Sequence, residues 1–155
     1  MRNEPTLSDE DAQTAITVIR DQLKTEGKAA VIAVADAHGE LLALLRLDGA
    51  ARAPIQIAMN KAFTAARERK PTVEIGRDAR HPERGFDIAY YGDSRYVGWG
   101  GGIPVVHAGQ VVGAVAVSGL HEDDDMRLAA LGVAAINEDL LREDNDLLRE
   151  RGRRI

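Results

Sequence analysis

The chain contains no cysteine, which excludes disulfides, a thiol nucleophile and cysteine-ligated metals. No apolar run approaches the roughly 20 residues a membrane-spanning helix needs. Positive charge is not in excess: the formal net charge is −5, which argues against a general nucleic-acid binder. The opening residues Met1-Arg2-Asn3-Glu4-Pro5 lack an apolar h-region, so no secretory signal is expected and a cytoplasmic location is the simplest expectation. His38, His81, His107 and His121 are the only histidines. No two of them stand at metal-ligand spacing on one helix, and no metal site is expected. Aromatic residues are only 4% of the chain, yet all three tyrosines and the one tryptophan lie between Tyr90 and Trp99. Such local enrichment marks either a contact surface or lid, or aromatics that cover a sheet edge.

What is present is ordinary for a globular protein. The 155 residues, 45% of them hydrophobic and 29% charged, suffice for one domain over residues 1–155 with a real core. Ser8 can cap a helix with Asp11 as the reciprocal acid. Ala12, Ala15, Ile16, Ile19 and Leu23 recur at helical spacing up to Gly27, predicting a helix over about 8–26. Ala29 to Ala35 is continuously apolar, as in a strand buried on both faces. A turn at 36–40 and a second strand over Leu41–Leu47 complete an antiparallel hairpin. Pro54 suits the first turn of a helix that ends near Arg69-Lys70, before Pro71. Thr72 to Trp99 has no sustained period, with a short strand expected over 86–91. Val105-Val106-His107, a turn at 108–110 and Val111 to Ser118 predict a second hairpin. His121 to Asp125 is an acidic helix start, expected to be solvated. The stripe from Met126 to Leu141 then extends through Leu147 and Leu148 in one long helix or a broken pair. Charge in its last turns exceeds what one domain needs to cover, so this end is expected either to meet a second subunit or to form a solvated tail.

This order predicts an α/β (α+β) fold in which an antiparallel sheet carries helices on its faces. The stretch Gly100-Gly101-Gly102-Ile103-Pro104 stands at the entrance to the second hairpin. Three consecutive glycines leave the backbone uncovered, so the stretch is either a tight loop or a place where a ligand meets the main chain.

Three blocks in order resemble one family. Val34-Ala35-Asp36-Ala37-His38-Gly39-Glu40-Leu41 runs on to Leu44-Leu45-Arg46-Leu47-Asp48-Gly49-Ala50. Lys61-Ala62-Phe63-Thr64-Ala65 follows, with Pro71-Thr72. Gly101-Gly102-Ile103-Pro104 then precedes Gly109 to Gly119 and Asp125. Their order and spacing resemble the GlcG/HbpS-like family, also called haem-degrading domains, and are similar to the C-terminal domain of PduO-type cobalamin adenosyltransferases. The resemblance covers about Ser8 to Ile136. It implies a profilin-like sheet with helices packed on its faces, and a homo-oligomer. It also implies a small-molecule ligand, with haem or a related tetrapyrrole as the candidate cofactor. The role implied is binding, or that of a catabolic accessory protein.

Candidate catalytic residues are Lys61 and Asp48. Lys61, on a helix face of apolar and small neighbours, is either a partly desolvated ammonium that binds carboxylates or a lysine reaching solvent. Asp48, after a strand and before Gly49, is either an acid–base group or the cap of the next helix. Candidate ligand-binding residues are Gly100, Gly101, Gly102, Ile103 and Pro104, whose amides suit an oxyanion, and Arg77, Arg80, Tyr90, Tyr91 and Trp99. The last five suit an anionic, aromatic small molecule if they are not a solvated loop. An alternative to ligand binding is therefore a small hydrolase or isomerase that acts on an anionic carboxylate metabolite through Lys61 and the glycine-rich loop. Lys61 and the loop are expected to face one cavity closed by residues 74–99.

Overall fold

Ser8 caps the first helix as its sequence requires: its hydroxyl accepts from the Asp11 N–H, and the Asp11 carboxylate accepts from the Ser8 N–H at 2.8 Å. From this box runs α1 (Asp9–Thr25). The computed structural model, which describes residues 3–153, continues with β1 (Val31–Asp36), β2 (Leu41–Arg46), α2 (Pro54–Glu68) and α3 (Thr72–Ala79). A 3-10 turn (Ile88–Tyr91), β3 (Gly102–His107), β4 (Gln110–Ser118) and α4 (Glu122–Gly152) follow. The strands form one sheet in the order β2-β1-β4-β3, antiparallel throughout. Both predicted hairpins are therefore in the same sheet. Among the described residues no helix is long and apolar enough to cross a membrane.

β1 sits in the middle and alternates between two interiors. Ile32 and Val34 join Val115 and Val117 of β4 beneath α1 and α4. Val31, Ala33 and Ala35 face the other way, toward Ala58 and Ala62 of α2, and Ala114 meets Ala65 and Ala66. The second interior is built almost wholly from alanine. Short side chains on both surfaces bring the α2 backbone unusually close to the sheet, and this closeness shapes the site described below.

Three sequence expectations need correction. The segment 72–99 is not irregular throughout, because Thr72–Ala79 is helical. Gly76 reads as a helix breaker, but a Cβ there would lie 1.9 Å from the Gly98 carbonyl oxygen, so glycine is what lets α3 dock. Residues 86–91 do not form a strand. Asp87 instead accepts from the Ala89 N–H and starts the 3-10 turn, which Gly92 closes at φ 72°. The second hairpin begins earlier than expected, at Gly102. Pro104 is tolerated within β3 because β3 is an edge strand. Of the two readings of the C-terminal pattern, one unbroken helix of 31 residues is observed.

Candidate functional site

In α2 the buried residues include Ala58, Lys61, Ala62 and Ala65. Their spacing of i, i+3, i+4, i+7 puts Lys61 within the sheet-facing stripe. Its side chain is 3% exposed. Because α2 rides so close to the sheet, the ammonium reaches past the end of β4. It donates to the Val117 carbonyl oxygen at 3.0 Å and to Asp125 Oδ2 at 3.1 Å. A lysine has three N–H donors, so one remains for whatever meets this group.

Asp125 belongs to the acidic start of α4 but does not face solvent. It is buried, and its Oδ1 accepts from the Leu120 N–H at 3.1 Å. Burial pushes the Asp125 carboxyl up from the usual carboxylate range. Lys61 foremost, and the Leu120 and Gly119 amides, pull against that rise. Sequence reasoning placed Asp125 with the solvated acids. The signal that identifies it is periodicity: Asp125, Leu128, Ala129, Gly132 and Ile136 form one buried stripe that starts one turn before its first apolar member.

The glycine stretch explains itself against this pair. A Cβ on Gly102 would lie 2.4 Å from the Lys61 carbonyl oxygen, so Gly102 is where the α2 backbone touches β3. A Cβ on Gly101, at φ 127°, would lie 2.8 Å from Lys61 Nζ. What approaches the bare backbone is thus the protein's own lysine and helix. Two amides of the stretch already have partners within the protein. The Gly100 N–H donates to Glu122 Oε1 and the Gly102 N–H to the Thr72 hydroxyl, each at 3.0 Å.

Lys61, Asp125 and Glu122 line a cleft of about 460 Å³ whose apolar walls include Pro54, Ile57, Leu120 and the Trp99 indole. This volume is in the range of small-molecule sites. Trp99, one of the lining residues, is 57% exposed. An anion entering would meet a lysine already matched by Asp125 and a loop amide already taken by Glu122.

The structure divides the remaining candidates. Of the glycine stretch only Gly100 lines the cleft, while Ile103 packs on the core beneath α1 and α4 and Pro104 pairs with Ala114 in the sheet. Arg77 and Arg80 are exposed on α3 and its C-cap. Tyr90 and Tyr91 border a separate groove with Phe86 and Asp87. The segment 74–99 therefore does not close over Lys61, except through Trp99. Its aromatics stack elsewhere: Tyr91 on Tyr96 with centroids 4.3 Å apart, and Tyr96 edge-on to Phe63 of α2 at 5.2 Å. Thr64 pins the same segment by accepting from the Val97 N–H at 3.1 Å. Asp48 is exposed and lies outside the cleft. It does not cap α2, whose N-cap is Ala53 with no side-chain hydrogen bond.

Among the described residues no three His, Asp or Glu side chains converge as a metal site. The cleft also lacks His, Cys, Met and Tyr, the usual axial ligands of haem iron. Each histidine has a protein partner: His38 with Glu4, His107 with Asp144 at 3.3 Å, and His81 and His121 with backbone N–H groups of their own turns. The cleft lining therefore offers an iron none of its usual axial ligands.

Comparison with known proteins gives a consistent result. A sequence model for the HbpS-like family, described as haem degrading protein HbpS-like, matches residues 7–134. A 15.0 kDa protein from the dhaT-dhaS intergenic region of Citrobacter freundii is 37% identical over 109 residues, 70% of this chain and 76% of that protein. Protein GlcG of Escherichia coli K12 is 35% identical over 118 residues, 76% and 85% of the two chains. Among solved structures, the Klebsiella pneumoniae protein ORFY superposes with a TM-score of 0.81 at 27% identity, covering 88% of this chain and 94% of its own. A complex of PduOC with haem superposes with a TM-score of 0.78 at 26% identity, covering 85% and 96%.

Proposed function

The chain belongs to the HbpS-like family of haem-degrading proteins, and on that premise we propose that it binds a flat, largely apolar small molecule of the tetrapyrrole class in the Lys61–Trp99 cleft. The observation that carries this reading is the haem complex of a chain with the same fold and 26% identity. Further support comes from the cleft itself, with its apolar walls and half-exposed indole. In such a site Trp99 would stack on the ring, and Pro54, Ile57 and Leu120 would exclude water from it. The remaining Lys61 N–H is the donor nearest to hand for a ring carboxylate. When bound, haem would supply an iron centre whose visible spectrum reports its surroundings.

The alternative, an enzyme acting on a carboxylate metabolite through Lys61 and the glycine-rich loop, has less support. A substrate carboxylate would find a single Lys61 N–H, the other two being held by the Val117 carbonyl and Asp125, and would have to compete with Glu122 for the Gly100 amide.

Titration of the protein with haemin, followed in the Soret region, tests the proposal. Saturable binding is expected. Trp99→Ala should weaken it about tenfold, which corresponds to ~1.4 kcal/mol for a lost ring contact. Ala53→Trp, a bulky side chain at the exposed rim, should block it. No saturable change, or equal affinity in the parent and both variants, overturns the assignment to this cleft.

A further inference from the structure

The family match ends at residue 134, but α4 continues to Gly152, more than half its length beyond the match. Its last residue packed on the core is Leu140. From Leu141 onward every described residue is exposed. Leu141, Leu147 and Leu148 are nevertheless 55–65% exposed in an otherwise charged segment. A solvated tail has no need of three leucines.

These residues follow a pattern. At 100° per residue, Leu141, Asp144, Leu147, Leu148 and Arg151 share one side of the helix. Four of them, Asp144, Leu147, Leu148 and Arg151, line a single shallow groove of about 300 Å³. Read along the chain, that groove is acid, leucine, leucine, base. Turned end for end, it is its own complement. A two-fold axis between Leu147 and Leu148 places Asp144 of one copy opposite Arg151 of the other and Leu147 opposite Leu148. The wider charge follows the same logic. Glu143, Asp144 and Asp146 precede the axis and Arg149, Arg151 and Arg153 follow it, with Arg142 and Glu150 the exceptions. Asp144 is already fixed in place: its Oδ2 faces His107 Nε2 at 3.3 Å, while no partner of its Oδ1 is found among the described residues. Antiparallel pairing also puts the two folded bodies at opposite ends of the contact.

We propose that the C-terminal end of α4 is a self-docking surface that pairs antiparallel with the same segment of a second copy about an axis at Leu147/Leu148. Such a contact is isologous, so one sequence must satisfy both sides, and this segment does. The contact is two turns long. It is smaller than interfaces that hold stable dimers alone, so it acts as a weak, concentration-dependent link between copies.

Sedimentation velocity over a concentration series is the test. Asp144→Arg alone and Arg151→Asp alone should each weaken self-association at least tenfold. The double variant D144R/R151D should restore it, because each reversed charge again meets its opposite. Leu147→Asp should abolish the step. The absence of native cysteine permits a second measurement. Mixed Asp144→Cys and Arg151→Cys chains should form the 144–151 disulfide, whereas 144–144 cross-links would indicate parallel pairing. Parallel cross-links, failure of the double reversal to restore association, or a parent that stays monomeric at hundreds of micromolar overturns the proposal. All these positions are exposed, so an unchanged far-ultraviolet spectrum excludes misfolding as the cause.

Discussion

Lys61 Nζ and Asp125 Oδ2 lie 3.1 Å apart, and the two side chains are only 3% and 4% exposed. The pair joins the middle of α2 to the first turn of α4 around the end of β4. It ties together helices on opposite faces of the sheet, which share little other contact at this end. Removing one member strands the other charge in the interior, which typically costs ~3–5 kcal/mol. Lys61→Met should therefore destabilise by about that amount in urea denaturation. The double variant K61M/D125L, which leaves no orphan charge, should recover part of the loss. A double variant no more stable than K61M would show that the two charges do not act as a pair.

Asp125 also sets a pH dependence. Its folded-state pKa is raised, chiefly by burial. A raised acid contributes stability that is fully present below its unfolded value of about 4 and is lost as pH rises through the folded value. The stability of the parent minus that of Asp125→Asn should accordingly fall as pH increases over this window. In the Lys61→Met background the main opposing influence is gone, so the fall should extend to higher pH. A difference that grows with pH would mean that Lys61 outweighs burial.

The charged seam between α1 and α4 should behave in the opposite sense. Arg127 donates to Glu26 Oε1 at 2.7 Å and to Asp124 Oδ1 at 3.1 Å, and Lys28 donates to Asp124 Oδ2 at 3.1 Å. Hydrogen bonds from Arg127 hold the Glu26 carboxyl below its usual range, and those from Lys28 and then Arg127 do so for Asp124. Depressed acids contribute stability above their unfolded pKa and lose it as pH falls through the folded value. The effect of Arg127→Ala on the melting temperature should thus be largest near neutrality and low salt. It should shrink both below pH ~4 and at 1 M salt. Equal effects at pH 3 and pH 7 would show that the arginine acts through packing alone.

The glycines can be ranked. Gly102→Ala would place a Cβ 2.4 Å from the Lys61 carbonyl oxygen, whereas at Gly109, in the β3–β4 turn, nothing lies within 4 Å. Gly109→Ala should cost only the strain of its positive φ, about 1–2 kcal/mol. Gly102→Ala should cost more, because two backbones must part, and it should also disturb the Lys61–Asp125 pair. Equal melting temperatures for the two variants would contradict the close approach of α2 to β3.

The sequence itself determined the capped first helix, both hairpins, the antiparallel α+β order and the family. Each of these rests on a local pattern: the Ser8–Asp11 box, the apolar run before Asp36, the acidic residues after His121. Lys61 stood out for the same reason, as a charge among small apolar neighbours. Tertiary structure alone decided what Lys61 meets, because Asp125 is 64 residues away and looks like any acid at a helix start. It also decided what the glycines are for, since nothing in Gly100-Gly101-Gly102 says that the approaching group is α2 and not a ligand. Tyr91 likewise lies away from Lys61, stacked on Tyr96, which itself packs edge-on to Phe63. The physical reason is common to all three. Periodicity and capping are energies of neighbouring residues, readable from one stretch of chain. An ion pair or a backbone contact is an energy of two stretches, and its partner exists only once the sheet has set their separation.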